Sequence, residues 1–292
     1  MTIDIIFDME TRDPDDMFAL CFLASHPNVA LRAVTINPGS RAQIGVVRHL
    51  LHCLNRSEIP IGARNPNSIK DAVSEFHYQF LGNLPPEEAD DVAHDLLAAT
   101  INLYPDLVLL TGAPLHNIRL LLNKYPFVKI KRWVGQGGFA GDSVVPPEFR
   151  LPKFDGLETC LTFNFNGDSK AAIALLSSNQ ILKKDIVSKN VCHGVIYTKI
   201  FHEWMKPFRY NSPGLLLIYN GMDLYLKQQP NGKIFHDPLA ACIAVAPSIA
   251  RFQEVKLYRK QGEWGARLAK KTHTFITIAV DKEHFFHVFT QS

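Results

Sequence analysis

The chain has 292 residues, 47% hydrophobic and 20% charged, with 31 basic against 28 acidic side chains and a net charge of +3. That balance excludes a disordered chain, and so small an excess gives no sign of the basic stripe that nucleic acid or an anionic membrane selects. The five cysteines are scattered without a CxxC or CxxH pair. Together with the lack of a basic-then-apolar leader or a membrane-length apolar run, this leads us to expect reduced thiols in a soluble, cytoplasmic protein.

The first element is a short apolar run of β type, IDIIF at 3–7, followed at once by Asp8, Glu10, Asp13, Asp15 and Asp16. DDMFALCFLASH then has helical spacing, with Phe18, Cys21 and Phe22 on one face and carboxylates at the start, where the helix dipole favours them. VALRAVTI (29–36) reads as a strand, PGSRAQIGVVRHLLHCL as a turn and helix, and IPIG (59–62) as a third strand. Residues 65–95 read as a long loop or lid leading into a helix, with His77 and His94 taken as ordinary surface. DLVLLT (106–111) is a buried strand followed by the helix PLHNIRLLLNKYP, and KIKRWVGQGG is a strand ending in glycines.

Strands that are continuously apolar and alternate with helices predict an α/β fold. We expect a single domain over 1–292, a mostly parallel open sheet with helices on both faces. Sites in such folds gather at the carboxyl ends of strands.

The acidic run exceeds what a helix cap needs, and a hard cation such as Ca²⁺ or Mg²⁺ takes several oxygen ligands of this kind. A plain cap with solvated charges is its bland reading. In FHDPLAACIAVAP (235–247), His236 and Asp237 open an apolar helix, as a cap or as a metal ligand beside a proton donor. Thr111, in LLTGAPLHNI, ends a strand and either starts a simple loop or presents its carbonyl to a cation. In TFNFNGDSKAA (162–172), Asn164, Asn166 and Asp168 precede a helix; they suit hydroxyl recognition, or Asp168 is an N-cap. RKQGEWGARL (259–268) reads as a hairpin loop, a lid or a subunit contact, and HEWMKPFRY (202–210) as a half-buried helix end or a base-stacking surface.

In order, Asp8-Met9-Glu10…Asp15-Asp16, Thr111-Gly112…Leu115-His116-Asn117, Gly137-Gly138, Phe163-Asn164…Asp168 and His236-Asp237 resemble the motifs of the nucleoside hydrolase family, of inosine–uridine-preferring type. The resemblance spans about residues 3–245 and implies calcium-dependent cleavage of a ribonucleoside, or a related ribosyl compound, to free base and ribose. It implies a Ca²⁺ held by Asp8, Glu10, Asp16, Asp237 and the Thr111 carbonyl, with Glu10 as base toward an attacking water. His236 would protonate the departing base, while Asp15, Ser40, Asn164 and Asp168 would bind substrate. A homodimer or homotetramer serving purine or pyrimidine salvage follows from the same resemblance.

The chain departs from the pattern in a first motif one residue longer, Arg12 where a glycine stands, Ser40 in place of an asparagine, and Thr162 in place of a glutamate. Those departures keep two alternatives open: a non-catalytic ligand-binding protein on the same fold, and a metal-dependent phosphohydrolase with Asp8 as nucleophile.

Overall fold

Strand β1 (Ile3–Met9) sits at the centre of the molecule and shows how the sheet is buried. Ile5, Phe7 and Met9 join one apolar core and Ile6 the other, because successive strand side chains point to opposite faces. A computed structural model describes residues 2–65 and 72–292.

The other strands are β2 (Val29–Ile36), β3 (Ile61–Ala63), β4 (Asp91–Val92), β5 (Val108–Thr111), β6 (Arg132–Gln136), β7 (Thr159–Cys160), β8 (Lys184–Val187), β9 (Ile196–Tyr197), β10 (Lys233–Ile234), β11 (Ala250–Lys260), β12 (Glu263–Leu268) and β13 (Thr274–Val280). Among the described residues, eleven of them make one sheet in the order β4-β3-β2-β1-β5-β6-β8-β13-β11-β12-β7, and β9 pairs with β10. Every pairing from β4 across to β13 is parallel, whereas β11, β12 and β7 join antiparallel. Helices Pro14–Ser25, Arg41–Cys53, Pro213–Gln228, Asp237–Val245 and Lys282–Thr290 cover one face, and Ala93–Leu103, His116–Lys124 and Ser169–Ser177 the other. The expected α/β architecture is the one observed.

The helix Pro14–Ser25 is buried from Pro14 to Ala24, not along a single stripe. It is held between the sheet and the helices Pro213–Gln228 and Asp237–Val245, so its polar first turn has to find partners inside the protein. The strand expected at 59–62 is Ile61–Ala63. The expected lid carries helix Glu75–Leu81 and β4, and its 66–71 portion lies outside the described residues. RKQGEWGARL is a hairpin between β11 and β12, turning at Gln261 and Gly262 with φ of 51° and 90°. HEWMKPFRY ends the helix Lys199–Met205 with Trp204 exposed. Among the described residues, no helix is long and apolar enough to cross a membrane.

The chain leaves β1 toward β2 on one side, while β5 pairs on the other. Such a reversal opens a crevice at the strands' carboxyl ends, and there the Gly112 N–H donates to the Asp8 carbonyl at 2.8 Å.

Candidate active site

The loop after β1 folds its acids inward. Asp13 caps the helix Pro14–Ser25 by accepting from the Asp15 N–H at 3.0 Å. Its carboxylate also pairs with the ammonium of Lys233 at 2.7 Å. Asp15 Oδ2 reaches across the chain and accepts the N–H groups of His236 and Asp237 at 2.8 and 2.9 Å. His236 makes no side-chain cap of its own, so Asp15 terminates the helix Asp237–Val245 instead. Asp16 Oδ1 turns back to accept the Glu10 N–H at 3.1 Å.

Asp16 and Asp237 meet at Gly112, just past the end of β5. A Cβ there would lie 2.7 Å from Asp237 Oδ1 and 3.0 Å from Asp16 Oδ1. Only glycine lets the two carboxylates come this near the backbone. Beneath them, Asp8 Oδ1 accepts from Thr35 Oγ1 and Asn117 Nδ2, both at 2.6 Å, while Asp8 Oδ2 and Asp237 Oδ1 are buried without partners.

Burial dominates the electrostatics. It pushes Asp8 and Glu10 up to about 7 and Asp15 up to about 6. Asp16 and Asp237 rise well above the carboxylate range, by burial first and by repulsion from neighbouring acids second. Arg12 pulls Glu10 down and Lys233 pulls Asp15 down, but neither offsets burial. Unpartnered buried carboxylate oxygens that repel one another fit a hard cation, which binds oxygen ligands. Among the described residues, no three His, Cys, Asp or Glu side chains form a complete ligand set. A cation here would therefore draw on main-chain oxygen and water as well as on side chains.

Above the acids opens a cavity of about 480 Å³, lined by Glu10, Arg12, Asp13, Asp15, Asp16, Gly112, Gln136, Thr162, Phe163, Asn164, Lys189, His193, His236 and Asp237. Its size lies in the usual small-ligand range of about 300–1,000 Å³. Asn164 Nδ2 donates to the Gly112 carbonyl at 2.9 Å and to Gln136 Oε1 at 2.7 Å. That contact turns Gln136 Nε2 toward His236 Nδ1, 3.3 Å away, so Nδ1 accepts and the ring proton is assigned to Nε2. Burial, aided by Lys233 and His193, lowers the His236 pKa to about 3. At neutral pH this imidazole is uncharged, and it offers a hydrogen bond from Nε2 rather than a mobile proton.

The structure brings Glu10, Asp15, Asp16, Asn164, His236 and Asp237 to the cavity wall. Asp8 and Thr111 are fully buried and do not line it; Thr111 Oγ1 accepts from Trp133 Nε1 at 3.0 Å. The burial of Asp8 denies it the access that a phosphohydrolase nucleophile requires.

Ser40 and Asp168 are not cavity residues either, because each is engaged at a helix start. Ser40 forms a capping box with Gln43. Asp168 accepts from the Ala171 N–H and pairs with Arg119 at 2.8 Å and His116 at 3.4 Å. His77 is not surface but buried, bonded to Ser74 Oγ at 2.6 Å, and neither it nor His94 lines the cavity.

Sequence reasoning missed Gln136, Lys189, His193 and Lys233. Only Lys233 carried a signal, a charge between the turn residues Asn231-Gly232 and the apolar pair Ile234-Phe235 that leads into His236-Asp237.

The same architecture recurs in solved nucleoside hydrolase structures. A plant nucleoside hydrolase aligns with a TM-score of 0.79 at 18% identity, covering 100% of this chain and 98% of that one. An inosine-uridine preferring nucleoside hydrolase from Bacillus anthracis aligns with a TM-score of 0.73 at 18% identity, covering 99% and 98%. An uncharacterized protein of Aquifex aeolicus (strain VF5) is 27% identical over 294 residues, 96% of each chain. The chain belongs to the inosine-uridine preferring nucleoside hydrolase family, whose model matches residues 5–287. It is a hydrolase and a divergent member of that family.

Proposed function

We propose that this protein hydrolyses the N-glycosidic bond of a ribonucleoside or a related ribosyl compound, giving free base and ribose, with calcium as its cation. The observation that carries this reading is the approach of the Asp16 and Asp237 carboxylates at Gly112, directly under a cavity that also presents Asn164 and His236. Asp8, Glu10, Asp16, Asp237 and the Thr111 carbonyl are the residues that would hold the ion. Bound there, it would supply positive charge that neutralises the buried acids and makes nearby water more acidic.

Breaking the bond between the anomeric carbon and the base nitrogen leaves oxocarbenium-like charge on the sugar. The carboxylates on the cavity floor stabilise that charge across a low-dielectric gap. Glu10, held near neutrality by burial, accepts a proton from the attacking water. Asn164 positions the ribose, and Asp15, whose Oδ2 is engaged as a cap and whose Oδ1 lies 3.8 Å from the Lys233 ammonium, lines the cavity where a ribose hydroxyl would bind. His236 donates from Nε2 to the departing base and so stabilises the leaving group. The family resemblance supports one domain over 1–292, a homodimer or homotetramer, and a cytoplasmic salvage role.

The direct test incubates the purified protein and calcium with a panel of nucleosides and their 5′-monophosphates and measures free base and reducing sugar. Release from at least one compound of the panel is expected. No release from any of them, with or without calcium, overturns the reading.

A further inference from the structure

One cavity wall has the opposite electrostatic character to the floor. Lys189 Nζ donates to the Leu161 carbonyl at 2.9 Å, which sets the ammonium beside Thr162. Thr162 Oγ1 is buried without a partner in a residue only 4% exposed that lines the cavity. His193 follows Lys189 by four positions, its N–H bonded to the Lys189 carbonyl at 3.1 Å, so both side chains lie on one face. Lys153 Nζ donates to His193 Nδ1 at 3.1 Å, which assigns the ring proton of His193 to Nε2. Among the described residues, neither Lys153 nor Lys189 has a carboxylate at ion-pair distance.

Thr162, Lys189 and His193 thus line the same cavity, and Lys153 adds a second ammonium next to His193. A buried hydroxyl without a partner is costly, and the half-buried ammonium of Lys189 beside it offers an anion a charge-assisted hydrogen bond. Three separate donors suit the several oxygens of a tetrahedral phosphate better than the two of a carboxylate.

We propose that Thr162, Lys189 and His193 form a phosphate subsite, and that the substrate is a ribonucleoside 5′-monophosphate. This rests on the N-ribohydrolase reading and names its substrate class. The anomeric carbon–nitrogen bond breaks and a bond to water oxygen forms. The nitrogen keeps the bonding electron pair, one water proton passes by way of Glu10 to the departing base, and the products are free base and ribose 5-phosphate. The phosphate monoester is left intact.

The test has a kinetic and a binding arm. With calcium present, kcat/KM is measured for inosine and uridine, for their 5′-monophosphates, and for orotidine, whose carboxylate sits on the base. Separately, ribose 5-phosphate and ribose are titrated into the protein by calorimetry. Expected is a preference for each monophosphate over its nucleoside by about tenfold or more, the scale of a charge-assisted hydrogen bond, with ribose 5-phosphate bound more tightly than ribose. Lys189→Met should narrow both differences and Lys189→Arg restore them in part, with Thr162→Val as a second, milder variant.

Nucleosides cleaved as well as or better than their monophosphates overturn the subsite and leave the hydrolase reading standing. Orotidine preferred over both uridine and uridine 5′-monophosphate overturns the phosphate assignment in favour of a base carboxylate. Tight binding of ribose 5-phosphate with no substrate cleaved supports the subsite and removes the hydrolase reading instead.

Discussion

Asp15 Oδ2 accepts the backbone N–H of His236 at 2.8 Å and that of Asp237 at 2.9 Å, so a single carboxylate from the first turn of the helix Pro14–Ser25 fixes two site residues more than 200 positions away. Asp15 is in turn steadied by Lys233, whose ammonium lies 3.8 Å from its other oxygen. The acidic motif is thus a structural tie before it is a ligand set.

Replacing Asp15 by Ala should release the start of the helix Asp237–Val245 and leave Lys233 with only Asp13. The loss of two hydrogen bonds to a charged acceptor is expected to cost about 2 kcal/mol or more. Denaturant unfolding monitors this, and base release should fall together with stability.

The acids also set a pH dependence. Asp8 and Glu10 rise to about 7 and Asp15 to about 6 in the folded protein, above their ordinary values. Between about pH 4 and pH 7 the native state therefore holds more protons than the unfolded chain, and stability falls as pH rises through that window. The metal-free protein should melt lower near pH 7.5 than near pH 5. Calcium, binding the deprotonated carboxylates, should raise the melting temperature more at the higher pH. Thermal scans with and without chelator check both statements.

Asp16→Asn and Asp237→Asn each remove one of the mutually repelling buried charges. Melting of the metal-free protein should hold or improve, the calcium-induced shift should vanish, and turnover should drop about 100-fold or more. A calcium response equal to that of the unmodified protein would move the ion to other residues.

Gly112→Ala tests the same place sterically. The added Cβ would stand 2.7 Å from Asp237 Oδ1, closer than any relaxed contact allows, so one carboxylate has to move. Calcium affinity and activity should both fall while circular dichroism still reports a folded protein.

Gln136→Leu should free the His236 ring without touching the acids. Because Gln136 Oε1 also accepts from Asn164, the expected result is a fall in kcat of about tenfold together with a higher KM, with calcium affinity unchanged. Isothermal titration of calcium beside steady-state kinetics separates the two effects.

Local chemistry made much of the fold legible in the sequence. VALRAVTI reads as a strand over 29–36 and is one, because seven β-favouring or apolar residues around Arg32, between turn signals, have few alternatives. The acidic run behind β1, the glycine after Thr111 and the His236-Asp237 pair were also visible, since each sits where a strand or helix terminates. Ser40 and Asp168 show the limit. A Ser or Asp just before a helix can cap it or face a ligand, and residue type alone does not choose; the structure finds both capping. His77 read as surface and is buried, because its helix packs against residues remote in sequence.

The sequence by itself determined the α/β class, the positions of β1, β2, β3, β5 and β6 but not of β4, β8 and β13, and the crowding of acids behind β1, because periodicity, propensity and capping act over a few residues. Tertiary structure alone decided that Asp15 would cap a distant helix, that Asp16 and Asp237 would share the space above Gly112, and that Lys189 and Thr162 would face the same cavity. Those outcomes depend on strand order and on desolvation. Both arise from contacts between residues far apart in the chain, which no short stretch encodes.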